Sequence, residues 1–251
     1  VLMVTTANQS IAQKSATREF YKITIYHFTD TAQENVLDNY LERALMPALH
    51  KQKVQNIGVF KSLANDTAAQ KTMYVFTHFS SLADMHKADT FLAKDEQYKK
   101  EGATYINAAY DKPPYSRMET IITYAFPLAP QMRLPALQSA KNERVYELRS
   151  YESATEKIFQ NKVRMFNDGN EIALFKRLNF NAVFYSEVIA GSKMPNLMYM
   201  TTFENMQDRD AHWKSFVDAP EWKKLVAMPE YKNNLQRIDI TFLRPTSYSD
   251  F

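Results

Sequence analysis

The sequence predicts an α+β fold of two tandem ferredoxin-like units, each with the element order β-α-β-β-α-β. Segments with alternating apolar and polar side chains, typical of strands, lie between segments with apolar residues at three-to-four spacing, typical of helices. The same order of segments occurs twice, and a proline-rich stretch at 127–135 separates the two copies. We place the boundary at residue 130, which gives units at 18–130 and 131–251.

Each unit begins with a strand, at Phe20–Tyr26 and at Glu143–Tyr151. Successive side chains of a strand point to opposite faces. In the second unit one face is more apolar and the other is ionic, and the two sets are Tyr146, Leu148 and Ser150 against Glu147, Arg149 and Tyr151. We predict that the apolar face packs under helices and that the ionic face lies in solvent or in a polar cavity.

A helical segment of about two dozen residues follows each first strand. In the first unit Pro47 interrupts this segment, and in the second unit Asn167–Asn170 interrupts it. Asp168 and Glu171 have the three-residue spacing of a capping box. We therefore predict that a second short helix starts at Asp168.

The remaining elements follow in the same order in both units. The predicted strands are Ile57–Ser62, Thr72–Phe79 and Met118–Phe126 in the first unit, and Ala182–Ile189, Leu197–Phe203 and Arg237–Leu243 in the second. Before each last strand a second helical region opens at Ser81 or Asn205, which are favourable N-cap residues.

The two units also share identities. Moving the chain by 125 positions without a gap pairs identical residues, among them Tyr21/Tyr146, Tyr26/Tyr151, Met73/Met198, Tyr74/Tyr199 and Thr77/Thr202. These pairs fall at corresponding points of the element pattern, so we infer that the units are copies of one ancestral sequence.

The composition excludes several classes of protein and site. The 251 residues are 45% hydrophobic and 24% charged, which is typical of a globular protein, and the net charge of +3 gives no indication of nucleic-acid binding. No stretch approaches the roughly 20 apolar residues that span a bilayer, so we expect no membrane insertion. The absence of cysteine excludes disulfides, thiolate nucleophiles and iron–sulfur clusters, and the four glycines form no nucleotide-binding fingerprint.

Residues 1–17 are predicted to be an N-terminal extension outside the fold. Its small residues Ser10 and Ala12 would suit cleavage of a signal peptide before Gln13. This pattern predicts a periplasmic or secreted protein. The alternative is a polar extension of a cytoplasmic protein.

Three segments of the second unit read VYELRSY, KVRMFNDGNEIALFKRLNF (Lys162–Phe180) and LMYMTTFENMQDRDAHWKSF (Leu197–Phe216). In these segments the chain resembles the NIPSNAP family in its bacterial form. The resemblance covers Glu143–Pro245, whereas the first unit looks like a diverged copy with RALMP (Arg43–Pro47) in place of MFNDG. It implies a dimeric α+β barrel, here built by the two units of one chain. The superfamily includes cofactor-free monooxygenases and haem-dependent enzymes, while eukaryotic NIPSNAP proteins are linked to protein interactions.

The ionic face of the second unit's first strand supplies the candidate catalytic residues Arg149, Tyr151 and Glu147. An arginine can hold a carboxylate, phosphate or enolate oxygen, and a tyrosine or a glutamate of raised pKa can exchange a proton. If the sheets face each other, this face lines a cavity, and the candidate ligand-binding residues beside it are Tyr26, Glu187, Asp239, Asn167 and His212. The alternative is a structural ion-pair network across the sheet.

The five histidines lack the helical spacing of a zinc site, so we expect no metal and no cofactor. A haem ligand at His78 or His212 is the weaker alternative. The sequence thus predicts a NIPSNAP-family protein that binds a small oxygen-containing organic molecule in a barrel pocket. If the protein is an enzyme, it would also transform this molecule. The rival hypothesis is a protein-interaction or assembly module with a filled barrel, and both allow self-association through the sheets or helices.

Overall fold

The computed structural model describes residues 16–251. The predicted cleavage site at Gln13 lies outside these residues. The strands are β1 Phe20–Phe28, β2 Gly58–Ser62, β3 Lys71–Phe79, β4 Arg117–Ala125, β5 Val145–Glu152, β6 Phe184–Ala190, β7 Asn196–Phe203 and β8 Arg237–Pro245. The α-helices are α1 Thr31–Tyr40, α2 Met46–Lys51, α3 Leu82–Leu92, α4 Glu96–Glu101, α5 Ala103–Ile106, α6 Glu156–Asn167, α7 Glu171–Arg177, α8 Met206–Asp218 and α9 Pro220–Ala227.

The eight strands close into one antiparallel barrel in the order β1-β3-β2-β8-β5-β7-β6-β4. The two units therefore join twice, through β2 with β8 and through β4 with β6. Each unit follows the predicted β-α-β-β-α-β order. The predicted fold, two ferredoxin-like units packed as an α+β barrel within one chain, is confirmed.

Two helices, α3 and α8, begin at the side-chain caps that the sequence indicates. Ser81 accepts the backbone N–H of Asp84 at 3.1 Å, and Asn205 accepts that of Asp208 at 2.9 Å. A second short helix does follow the break after Asn167, but it starts at Glu171, and the predicted capping box at Asp168 is wrong. Asn170, with a left-handed φ of 62°, precedes α7 without a side-chain cap, and the Glu171 side chain is buried, where it forms an ion pair.

The predicted assignment of the two faces of β5 is also wrong. Tyr146 and Leu148 lie inside the barrel, whereas Tyr151 packs with the helices of the second unit. The alternation of apolar and polar residues does not show which face of β5 points into the barrel, because every residue from Val145 to Tyr151 is buried. An eight-stranded barrel is just wide enough for apolar side chains to fill it, so the more apolar face takes the interior.

Aromatic rings close one end of the barrel interior. Their centroids lie 4.9 to 6.0 Å apart, and the residues are Tyr21, Phe60, Phe76, Tyr146, Phe184 and Phe251. Large rings at these distances leave little space between them. This end of the barrel is therefore a packed core.

The ungapped match of the two units fails at the third strands. Ile25 of β1 lies opposite Tyr74, but Ser150, its counterpart in β5, lies opposite Met198. Tyr74 thus belongs with the barrel interior and Tyr199 with the helices. The second unit has one residue fewer than the first between its first strand and β7, and this shifts the alignment by one position. The ungapped alignment therefore pairs Tyr74, which faces the barrel interior, with Tyr199, which faces the helices.

Candidate functional site

A buried carboxylate lies between β5 and α8. Glu147 is 0% exposed. One of its oxygens accepts the Nε–H of Arg149 at 2.6 Å, and the other accepts the Nε–H of Arg209 at 2.7 Å and the indole N–H of Trp213 at 2.8 Å. Both oxygens are satisfied, as a buried charge requires.

Arg149 connects this carboxylate to a pair of tyrosines. Its guanidinium lies 3.7 Å from the centre of the Trp213 ring and donates to the Tyr151 hydroxyl at 3.0 Å. The hydroxyls of Tyr151 and Tyr199 are 2.8 Å apart. Burial raises the pKa of both tyrosines, so both hydroxyls keep their protons at neutral pH.

A second ion pair faces these tyrosines from the helices. Lys162 of α6 lies 3.1 Å from Glu171 of α7, and their side chains are only 5% and 3% exposed. The ammonium group also lies 5.7 Å from the centre of the Tyr151 ring. Burial raises the pKa of the Glu171 carboxyl, and it outweighs the opposing effect of Lys162. We call Glu147, Arg149, Tyr151, Tyr199, Lys162 and Glu171 the polar cluster.

Tyr185 links the polar cluster to an open space. Its ring stacks on that of Tyr199 with centroids 5.6 Å apart, and its pKa is raised by burial and then by Glu171. It lines a cavity of about 560 Å³, which also borders α7 and the proline-rich connection between the units. Asn167 holds that connection, because its side-chain oxygen accepts the backbone N–H of Leu128 at 3.2 Å.

The corresponding positions of the first unit carry different chemistry. Counting back 125 residues from Lys162 and Glu171 leads to Leu37 and Met46, which are 0% and 4% exposed. Lys22, the counterpart of Glu147, pairs with Asp89 at 3.0 Å. The polar cluster is therefore a feature of the second unit.

The structure brings together some of the predicted site residues. Glu147, Arg149 and Tyr151 are hydrogen-bonded to one another as expected for a cluster, but they lie under helices and not in the barrel interior. Asn167 acts on the neighbouring connection through its bond to Leu128.

The other predicted residues lie elsewhere. Tyr26 packs among tyrosines of the first unit, including Tyr105. Glu187 pairs with Arg18 at 2.8 Å where β4 meets β6, and Asp239 lines the open end of the barrel. His212 bonds within its own helix to the Asp208 carbonyl at 2.8 Å and packs on Phe180 and Phe203. Alternation along separate strands does not show how far apart the side chains of Tyr26, Glu187 and Asp239 lie, and His212 is on a helix.

Sequence reasoning missed Lys162, Glu171, Tyr199 and Arg209. A signal for the first of them is present, because Lys162 stands between Phe159 and Phe166 on the buried face of α6. A charged residue at such an apolar position needs a buried partner. The sequence alone does not identify Glu171 as that partner, because the turn after α6 decides where it points.

The polar cluster has the chemistry of a proton-exchanging or anion-holding site. It combines guanidinium and ammonium donors, phenol hydroxyls and a carboxyl whose pKa is raised by burial. Within residues 16–251 no group of histidine, aspartate and glutamate is arranged to hold a metal ion. In the same part of the chain, no helix has the length and apolar character needed to span a membrane.

Comparison with known proteins finds a family match within the second unit. The NIPSNAP family model matches residues 146–250, which confirms the resemblance seen in the sequence. A search of curated proteins finds no significant match.

Solved structures share the whole architecture. A candidate monooxygenase from Lactobacillus acidophilus NCFM is 11% identical with a TM-score of 0.60, and the match covers 91% of this chain and 94% of that one. One from Fusobacterium nucleatum is 7% identical with a TM-score of 0.58, covering 91% and 93%. An anthrone oxidase-like protein is 9% identical with a TM-score of 0.50, covering 91% and 92%. At these identities the similarity shows the fold alone.

Proposed function

We propose that this chain, whose residues 146–250 are a NIPSNAP domain, binds a small oxygen-containing organic molecule in the cavity beside Tyr185. The observation that supports this most is the position of the polar cluster. It is buried, it occurs in the NIPSNAP unit, and it meets a cavity of about 560 Å³ through Tyr185. Cavities of this size are typical of small-molecule sites.

The groups around the cavity favour an acidic or enolic ligand. Arg133 and Lys176 contribute to its lining and can pair with a carboxylate or an enolate oxygen. Phe175 and Ile172 supply apolar surface for a carbon skeleton. The protonated Tyr185 hydroxyl can donate to a carbonyl or carboxylate oxygen.

Native mass spectrometry of the purified protein tests the proposal. We expect a retained compound whose mass names the ligand class. Tyr185→Phe removes only the hydroxyl and should reduce the retained fraction, whereas Tyr105→Phe makes the same change in the first unit and should leave it intact. Equal retention by both variants would place the ligand elsewhere, and a wild-type protein without any bound compound after expression in its native host would refute the proposal.

The structural neighbours suggest which reaction to assay once a ligand is known. Two of them are described as candidate monooxygenases. If this chain oxidises its ligand, oxygen consumption will follow addition of that compound and will fall in Tyr185→Phe. Without oxygen uptake, the role proposed here is binding alone.

An assembly module is the second candidate function. The aromatic end of the barrel interior is packed, and each member of the polar cluster already has a partner within the protein. The outer face of β8 also exposes Ile238 and Ile240 at 44% and 42%. This hypothesis predicts a dimer or larger species by light scattering that Ile240→Lys dissociates, with no compound retained.

A further inference from the structure

We propose that the open end of the barrel is a second binding site, which takes a short aliphatic compound with one terminal hydroxyl or ammonium group. This end, the barrel mouth, contains a cavity of about 150 Å³. It lies inside the barrel, whereas the cavity beside Tyr185 lies between a helix and the connection of the two units. The two sites are therefore separate.

The barrel mouth is a blind pit with an apolar floor. Ile25, Leu148 and Met198 line its lower part, and all three belong to the barrel core. Beyond them, the aromatic residues around Tyr146 and Phe251 close the other end of the barrel. A ligand can therefore enter only from the rim, and its alkyl part would be buried against the floor.

One buried polar group in the cavity lacks a partner. Asn196 is 2% exposed, and its side-chain amide N–H donates to the Ser150 hydroxyl at 2.8 Å. Its side-chain oxygen accepts no hydrogen bond from any of the residues 16–251. A buried acceptor without a donor is costly, so the site is built for a group that carries an N–H or O–H.

The charged groups at the rim are already paired with each other. His27 lies 2.6 Å from Glu119, and Lys193 lies 2.5 Å from Asp239. These pairs lie at the entrance of the cavity. Asn196 belongs to the cavity lining, and we assign its unpaired oxygen as the acceptor for the head group of a ligand. The cavity equals roughly five water molecules at about 30 Å³ each, which is room for a short alkyl chain with its head group.

Methyl NMR of methionine-labelled protein can test this site with n-butanol, n-butylamine and butyrate as probes. The Met198 methyl group lines the floor, and the Met73 methyl group, buried under the helices of the first unit, serves as an internal control. Resonances are assigned with Met198→Leu and Met73→Leu. We expect a saturable shift of the Met198 signal with n-butanol or n-butylamine, no shift with butyrate, and a constant Met73 signal.

Two variants make the test specific. Asn196→Leu removes the acceptor and should weaken binding of n-butanol by about tenfold or more. Ser150→Val narrows the cavity and removes the hydroxyl that accepts the Asn196 amide N–H, so it should also weaken binding. It serves as the second test if Asn196→Leu proves unstable. Unchanged affinity in both variants, a preference for butyrate, or the lack of any saturable shift would overturn the proposal. Since the probes report on the barrel interior, these outcomes are independent of compound retention beside Tyr185.

Discussion

Replacing the buried pair Lys162–Glu171 by the residues of the first unit tests the energetics of the polar cluster. The corresponding residues are Leu37 and Met46, so the variants are Lys162→Leu, Glu171→Met and the double substitution. The two helices start at equivalent caps, because Asp30 and Thr155 are also 125 positions apart. Both replacements therefore have a precedent in the same fold.

The expected loss in Lys162→Leu follows from the carboxyl group it leaves behind. Without the ammonium group, Glu171 must either stay charged in a buried position or take up a proton. The ordinary pKa of a glutamate is 4.5, so protonating Glu171 at pH 7 means protonating it 2.5 pH units above that value. Each unit costs about 1.4 kcal/mol of free energy. Because the raised pKa of Glu171 already imposes part of this cost on the wild type, we expect Lys162→Leu to lose at most about 3 kcal/mol at pH 7 and little at pH 4.5. The double variant removes both charges and should lie within about 1 kcal/mol of the wild type.

The assay is urea denaturation followed by circular dichroism, at several pH values. In the wild type, the folded-state pKa of Glu171 is raised above its unfolded value of 4.5 by burial. Its stabilising contribution is therefore full below about pH 4.5 and is lost as the pH rises through the folded-state pKa. As the pH rises from about 4.5 through the folded-state pKa of Glu171, the wild type should therefore lose stability relative to the double variant. A loss below about 1 kcal/mol for Lys162→Leu at pH 7, or one that does not change with pH, would refute the reasoning.

Three further substitutions probe the site and the barrel. Glu147→Leu leaves Arg149 and Arg209 without their carboxylate and should cost about 3–5 kcal/mol in urea denaturation; a loss under about 1 kcal/mol would contradict the hydrogen-bond pattern. Arg149→Ala should cost less, about 1–3 kcal/mol, because Glu147 keeps Arg209 and Trp213 as donors, and a larger loss than in Glu147→Leu would be inconsistent with this. Phe251→Ala opens the aromatic end of the barrel and should cost about 3–5 kcal/mol, measured by thermal unfolding. An unchanged melting temperature would show that this ring does not stabilise the barrel.

The sequence by itself determined the elements and the fold class. The alternation of apolar and polar residues, the helical spacing and caps such as Ser81 and Asn205 depend on neighbours within a few residues. They can therefore be predicted without the tertiary structure. The resemblance in the second unit then implied a closed barrel within one chain, which the strand order confirms. The grouping of Glu147, Arg149 and Tyr151 was also predicted, because side chains two apart on a strand share a face.

Only the tertiary structure decided which face of β5 looks inward. Both faces of β5 are buried, so the polarity of their side chains is only a weak guide to which face points into the barrel. The interior of an eight-stranded barrel is narrow and is filled by the more apolar face, that of Tyr146 and Leu148. The partners of the ionic face come from α6, α7 and α8, far along the chain, and Lys162 meets Glu171 only because the chain turns between α6 and α7. Long-range packing of this kind leaves no periodic signal, which is why the sequence predicted the cluster's core and missed the residues that complete it.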